Sequence, residues 1–204
     1  MTPHAYIVDD DEAIRDSLSW LLQSRGVANL TYASAEAFLE AWNSAFSGCI
    51  LLDIRMDGMS GPELFERLLE RDCSLPVIFL TGHGDVPMAV STLKNGAFDF
   101  VEKPCNDNVL VDRVIEAFKL DATRCAAAAS ADSINSRLKQ LSTRERQVME
   151  LVLAGKLNKV IADELQISMR TVEVHRAKLF DKMEVRTAVE LAQKLVANSG
   201  KSPV

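Results

Sequence analysis

The sequence predicts a doubly wound α/β domain, a five-stranded parallel sheet with helices on both faces, followed by a small all-α domain of four short helices. Three observations carry this. Short apolar runs rich in β-branched residues recur through the first 120 residues, and each ends in a polar residue. Tyr6-Ile7-Val8 runs into Asp9-Asp10-Asp11, Ile50-Leu51-Leu52 ends in Asp53, Val77-Ile78-Phe79-Leu80 ends in Thr81, and Phe100-Val101 leads to Glu102-Lys103-Pro104. Such runs read as buried parallel strands. Helical patterns alternate with them, as a doubly wound sheet requires. From Leu138 onward no strand pattern remains.

Taken in order, strands fall near 4–9, 28–33, 48–53, 76–81 and 98–102. Helices fall near 11–25, 35–45, 61–71, 86–95 and 107–119. Asp10 or Asp11 caps the first helix and Gly26 follows its end. Asp85 is the expected N-cap of the fourth, with Pro87 early in it and Gly96 after it. Residues 120–137 change character: they are rich in Ala and Ser and carry no aromatic residue. Ala126–Ala129 favours helix by propensity, so the segment reads as a linker, either a continuing helix or a flexible one.

In the last part, Ser142-Thr-Arg-Glu145 is a capping box opening a helix that contains Val148, Leu151 and Val152, and Gly155 ends it. Asn158 is the expected cap of a second helix bearing Val160, Ile161, Ala162 and Leu165. Ser168 caps a third, Met169 to Met183, and a fourth follows near Thr187–Ala197. The domains expected are therefore 1–119, a linker at 120–137, and 138–204.

Composition narrows the function. The chain is 48% hydrophobic, enough for a real core, but its apolar runs are far shorter than the ~20 residues that span a bilayer. The N-terminus lacks the basic-then-apolar pattern of a signal peptide, so a cytoplasmic location is expected. Cys49, Cys73, Cys105 and Cys125 show no zinc spacing and read as free thiols. Residues 1–120 carry 19 acidic and 9 basic side chains, a net of −10, whereas residues 121–204 carry 10 acidic and 14 basic, a net of +4. Such a split points to two domains with different partners, the basic one facing nucleic acid.

The polar residues that close the strands share the carboxyl edge of the sheet, where open α/β sheets place their sites. Asp53, Asp9 and Asp10 suit a hard divalent ion such as Mg²⁺. Lys103 would neutralise phosphoryl oxygens as a point charge, and Thr81 would donate a hydrogen bond to one. Those parts suffice for phosphoryl transfer, which is mostly positioning and charge stabilisation. Each residue alone has a plainer reading: an Asp after a strand as a turn or helix cap, a Thr as β-prone, a Lys as solvated.

The strings IVDDDEAIR, LLDIRMDGMSG, FLTGHGD and FVEKP, in this order, resemble the receiver domain of two-component response regulators. The resemblance implies a flavodoxin-like fold and makes Asp53 the aspartate phosphorylated by a sensor histidine kinase. It makes Asp9 and Asp10 the acidic pair, with Asp10, Asp53 and the backbone carbonyl of Arg55 the ligands of Mg²⁺ or Mn²⁺. Thr81 and Phe100 match the switch pair, Lys103 the phosphoryl-binding lysine, and Pro104 a residue held in a cis bond. Two positions depart: Asp57 stands where RMPGMSG-type members carry proline, and Cys105 stands where many relatives have Phe.

Gln166-Ile167-Ser168 between two helices makes a helix-turn-helix pattern, whose second helix lies in the DNA major groove. On that helix Val172, Leu179 and Met183 should pack inward. Glu173, Val174, Ala177 and Lys178 face base edges, and Arg170, Thr171, Arg176 and Lys182 are placed for phosphates. The string from Leu141 to Val185 resembles the LuxR-type DNA-binding domain, which implies a buried structural acid at Glu145 and a pairing role for the last helix. His175 reads equally as a packing histidine or a phosphate contact. TGHGDVPMAV with RTVEVHRA is similar to the FixJ subgroup.

The resemblance implies a phosphorylation-switched transcription factor. It would form a homodimer through a face including Val90 and Lys94, bind a promoter operator of two half-sites, and work with RNA polymerase, with no membrane partner. It would receive a phosphoryl group, with autodephosphorylation as its own route of loss, and is not expected to be a turnover enzyme. Two alternatives stand beside this: a regulator that ignores phosphorylation, and an enzyme on the same sheet. No G-x-G-x-x-G follows the first strand, which removes a dinucleotide site.

Overall fold

The strands of the computed structural model, which describes residues 2–82 and 86–198, are β1 (His4–Val8), β2 (Asn29–Tyr32), β3 (Gly48–Asp53), β4 (Val77–Thr81) and β5 (Asp99–Glu102). They form one parallel sheet in the order β2-β1-β3-β4-β5. The helices of this part are α1 (Glu12–Ser24), α2 (Ala35–Ala41), α3 (Gly61–Glu70), α4 (Val86–Lys94) and α5 (Asp107–Lys139). The Asp85 cap expected for α4 lies outside the described residues.

Strand alternation divides the core between the two sheet faces. Tyr6, Val8, Ile50, Leu52 and Phe79 pack with Phe38 of α2 and Leu64, Phe65 and Leu68 of α3. Ala5, Ile7, Leu51, Ile78 and Leu80 pack with Leu18, Leu21 and Leu22 of α1 and Leu110, Val111 and Val114 of α5. Both faces are covered, which is why the strands read as continuous apolar runs. Asp11 caps α1, its carboxylate accepting from the amides of Ala13 and Ile14.

The second helix is shorter than its sequence pattern: it ends at Ala41, not near residue 45. Trp42 turns extended, at φ −62° and ψ 138°. The Asn43 side chain then accepts from the Ala45 amide, its carbonyl from the Phe46 amide. That turn stacks Phe46 on Tyr6 with ring centroids 4.6 Å apart, so burial of an aromatic pair overrides local helical periodicity.

The N-terminal edge of the sheet is held from α5. The Asp121 carboxylate, 1% exposed, accepts from the Ser47 hydroxyl and the Gly48 amide, both at 2.8 Å. Gly48 has φ +126°, and a Cβ there would collide with the His4 backbone, so the strand can begin only with glycine. The chain divides into two compact units, Met1–Cys125 and Ala126–Val204. Residues 120–137 are helical, part of α5.

The second unit contains α6 (Thr143–Leu153), α7 (Asn158–Leu165), α8 (Met169–Met183) and α9 (Ala188–Asn198). Its core gathers Ile134, Val148, Val152, Ile161, Val172 and Leu179 with Met183 and Leu191. Ser142 and Glu145 form the reciprocal capping box, and Ser168 caps α8. Asn158 is not the cap of α7: Leu157 occupies that position without a side-chain cap bond. The Asn158 carboxamide oxygen instead accepts from Arg176 at 2.7 Å.

Candidate phosphoryl-acceptor site and nucleic-acid interface

Register explains why distant residues meet. Val8 pairs with Leu52, so Asp9 and Asp53 emerge side by side where the strand order reverses. Thr81 pairs with Glu102, and the Lys103 amide donates to the Thr81 carbonyl at 2.7 Å. From there the Lys103 ammonium reaches across the edge. Its Nζ donates to Asp9 Oδ2 at 2.7 Å and to Asp53 Oδ1 at 2.5 Å.

The remaining carboxylate oxygens are held by backbone amides. Asp9 Oδ1 accepts from Asp11, Asp53 Oδ2 from Arg55 and Asp10 Oδ2 from Asp57, at 2.9, 3.0 and 2.8 Å. Burial raises the Asp53 pKa above the usual carboxylate value; Lys103 opposes this and the Asp9 charge adds to it. Burial also disfavours the Lys103 ammonium, but hydrogen bonds and charge from Asp53 and Asp9 outweigh it and raise its pKa. One ammonium thus serves two carboxylates.

The donor set fits a hard cation. The ligands expected from the sequence, the Asp10 and Asp53 carboxylates and the Arg55 carbonyl, are all oxygens. Among the described residues no group of three or more His, Cys, Asp or Glu side chains is placed to hold a metal ion by itself. Mg²⁺ is ordinarily held in such an open set, by one or two carboxylates plus its own waters. The Lys103 ammonium between Asp9 and Asp53 shows that positive charge is accommodated there.

Thr81 is fully buried, and its hydroxyl donates to the Gly82 carbonyl at 3.1 Å. Phe100 is half-buried against the α2–α3 side of the core. The Lys103–Pro104 peptide is cis. Val90 and Lys94 are exposed on α4. Beside Lys103 a cavity of about 570 Å³ opens between α1 and the start of α5, lined by Ile14, Leu18, Leu21, Pro104 and Cys105.

Sequence patterns missed two supports of this edge. Arg15 donates to the Asp9 carbonyl at 2.8 Å. Glu36 Oε1 accepts from the Met59 amide at 3.0 Å and so holds the loop after β3. The acid near the start of α2 was visible, but nothing local connects it to residue 59.

In the second unit, Val172, Leu179 and Met183 are buried as the periodicity of α8 requires. Arg170, Glu173, Val174, Ala177 and Lys178 are exposed, and Thr171 is half-buried. Arg176 is half-buried, lying 5.4 Å over the Phe180 ring as well as donating to Asn158. Lys182 turns into the domain: its Nζ donates to Glu145 Oε2 at 2.7 Å and to the Gln140 carbonyl at 3.1 Å. Those bonds tie the Lys182 side chain to the start of α6 and the segment before it. That pair holds the Glu145 carboxyl far below its ordinary 4.5, at about 2. The half-buried His175 leaves Nδ1 without a partner among the described residues.

A family model for the response regulator receiver domain matches residues 5–115, and one for bacterial regulatory proteins of the luxR family matches residues 139–195. The chain is 50% identical over 190 residues to the C4-dicarboxylate transport transcriptional regulatory protein DctR of Rhodobacter capsulatus, covering 92% of this chain and 96% of that one. It is 43% identical to the transcriptional regulatory protein FixJ of Bradyrhizobium diazoefficiens, with 93% of each covered. Among solved structures it is similar to the response regulator StyR, with TM-score 0.89, 38% identity, and 96% and 98% of the two chains covered. Full-length FixJ from B. japonicum gives TM-score 0.61 at 40% identity, covering 99% of this chain and 100% of that one.

Proposed function

Because this chain belongs to the two-component response regulators that join a receiver domain to a LuxR-type DNA-binding domain, we propose that Asp53 accepts a phosphoryl group from a histidine kinase and that this switches DNA binding by residues 138–204. The observation that carries the assignment to Asp53 is the Lys103 ammonium bridging Asp9 and Asp53 at the sheet edge. In this division residues 1–119 receive the signal and 120–137 link the two functions.

An Asp53 carboxylate oxygen attacks the phosphorus of a phosphohistidine, the P–N bond breaks and an acyl phosphate forms. Asp10, Asp53 and the Arg55 carbonyl would hold Mg²⁺ or Mn²⁺, which would neutralise charge on the incoming phosphoryl oxygens. Lys103 then exchanges its bond to the Asp53 carboxylate for one to a phosphoryl oxygen. The Thr81 hydroxyl leaves the Gly82 carbonyl for another, and Phe100 follows inward. The apolar cavity beside Lys103 and Pro104 suits docking of the donor protein.

The face containing Val90 and Lys94 then pairs two receivers, and two linked copies bind an operator of two half-sites with high effective concentration. Arg170 and Thr171 hold phosphates, while Glu173, Val174, Ala177 and Lys178 face the bases. RNA polymerase is the expected further partner at the promoter. Among the described residues no helix is long and apolar enough to cross a membrane.

Gel-filtration mass with and without acetyl phosphate and Mg²⁺ tests the reading, run beside Asp53→Asn. A monomer-to-dimer shift absent in the variant is expected. Labelled Asp53 with unchanged mass would replace dimerisation by release of a masked DNA-binding domain as the output.

A further inference from the structure

We propose that the backbone N–H of Asp57, and not its carboxylate, is a positioning group that pre-orients Asp10 for the divalent cation. This rests on the phosphoryl-acceptor reading above. The Asp57 amide donates to Asp10 Oδ2 at 2.8 Å, across 47 residues of sequence. Asp10 Oδ1 accepts no hydrogen bond among the described residues, so one oxygen is anchored and the other is left for the metal. The Asp57 side chain is exposed.

The donor is itself held in place. Two residues on, the Met59 amide donates to Glu36 Oε1 at 3.0 Å. Between them Gly58 has φ +80°, and a Cβ on it would lie 3.1 Å from the same Glu36 oxygen. The loop is thus gripped from two sides, by a carboxylate from the β1–α1 turn and by one from α2. Ser60, capping α3 with Glu63, fixes its far end. A donor gripped in this way fixes its acceptor as well.

Hydrogen bonds to ligating carboxylates fix their orientation, and removing such a partner commonly costs ten- to a hundredfold in metal affinity. Proline, the residue of RMPGMSG-type loops at this position, has no N–H and cannot make the bond. The device therefore belongs to chains with a donor here, and a side-chain substitution that keeps the N–H leaves it intact.

The test is Mn²⁺ affinity of the full chain, read from the electron paramagnetic resonance signal of free Mn²⁺, for wild type, Asp57→Ala, Asp57→Asn and Asp57→Pro. Expected is one site in the wild type, lost in Asp10→Ala. Asp57→Ala and Asp57→Asn should stay within about twofold, and Asp57→Pro should weaken roughly tenfold. Equal weakening of all three variants would assign the effect to the carboxylate charge and overturn the proposal. So would unchanged or tighter binding by Asp57→Pro. A wild type that binds no Mn²⁺ would overturn the acceptor reading itself.

A second measurement does not depend on the proline variant folding. The Asp57 amide should be protected from hydrogen exchange in the wild type, remain protected when Mg²⁺ is added, and lose protection in Asp10→Ala. Loss of protection on adding Mg²⁺ would show that the cation pulls Asp10 away from the N–H, and would overturn the proposal.

Discussion

Lys182, on the helix expected to read DNA, places its ammonium 2.7 Å from the buried carboxylate of Glu145, at the start of α6. The pair ties the recognition helix to the capping box of another helix. A buried carboxylate left without its cation is costly. Lys182→Gln should therefore destabilise the C-terminal unit by about 1–2 kcal/mol, a figure reduced because the lysine is partly solvated. Circular dichroism during chemical denaturation reads this. An unchanged midpoint with weakened DNA binding would restore Lys182 to the phosphate contacts.

The same pair gives a pH dependence. The folded Glu145 carboxyl lies at about 2 against an ordinary 4.5. A depressed carboxylate stabilises the folded state above its unfolded pKa, and the contribution is lost as pH falls from about 4.5 toward 2. Denaturation midpoints measured between pH 7 and pH 3 should fall further in the wild type than in Glu145→Gln, which lacks this titration.

Lys178 is exposed on α8 and carries no ion pair among the described residues. Alanine at Lys178 should weaken operator binding while leaving the unfolding midpoint unchanged. If its ammonium meets a phosphate, the slope of log affinity against log salt falls by about one. An unaltered slope with relaxed sequence preference would place it on a base edge instead.

Gly61 begins α3 with its amide bonded to the Ile54 carbonyl, and a Cβ there would collide with the Asp53 backbone carbonyl. Gly61→Ala must displace the end of β3, and with it Asp53. Acetyl phosphate labelling should slow roughly tenfold or more, because small misplacements of reacting groups are expensive. Labelling at the wild-type rate would show that the helix start moves and the strand end does not.

Asp121, buried, accepts from the Ser47 hydroxyl, the Gly48 amide and the Cys125 thiol. Asp121→Ala leaves the Gly48 N–H without its partner, at a cost of about 1–3 kcal/mol. The loss should appear as lowered protection of β3 amides from hydrogen exchange. Unchanged protection would mean that water takes over the carboxylate's place.

The sheet was legible because buried parallel strands are apolar without interruption and each ends at a polar residue. The meeting of Asp53 and Lys103 at one sheet edge was legible for the same reason, because both follow such runs. The end of α2 was not, because Trp42 continues an apolar period while Tyr6, the ring on which Phe46 stacks after the turn, lies on a distant strand. Asn158 looked like a cap because local sequence cannot show Arg176 arriving from the next helix. The bond from Lys182 to Glu145 was not legible either, because charge on a helix marks only the side it leaves from. The side chain bends back to a carboxylate 37 residues earlier.

The reach of Asp121 back to Gly48 also bears on how the protein is taken apart. The strand–helix alternation stops at residue 119, and a fragment cut there keeps every strand and every residue around Asp53. It also discards Asp121, and with it the acceptor for the first amide of β3, the strand that carries Asp53. The first compact unit thus runs past that point, to Cys125. A truncation at Cys125 retains that acceptor, whereas one at Lys119 would show the behaviour of a frayed sheet and be mistaken for a property of the isolated domain.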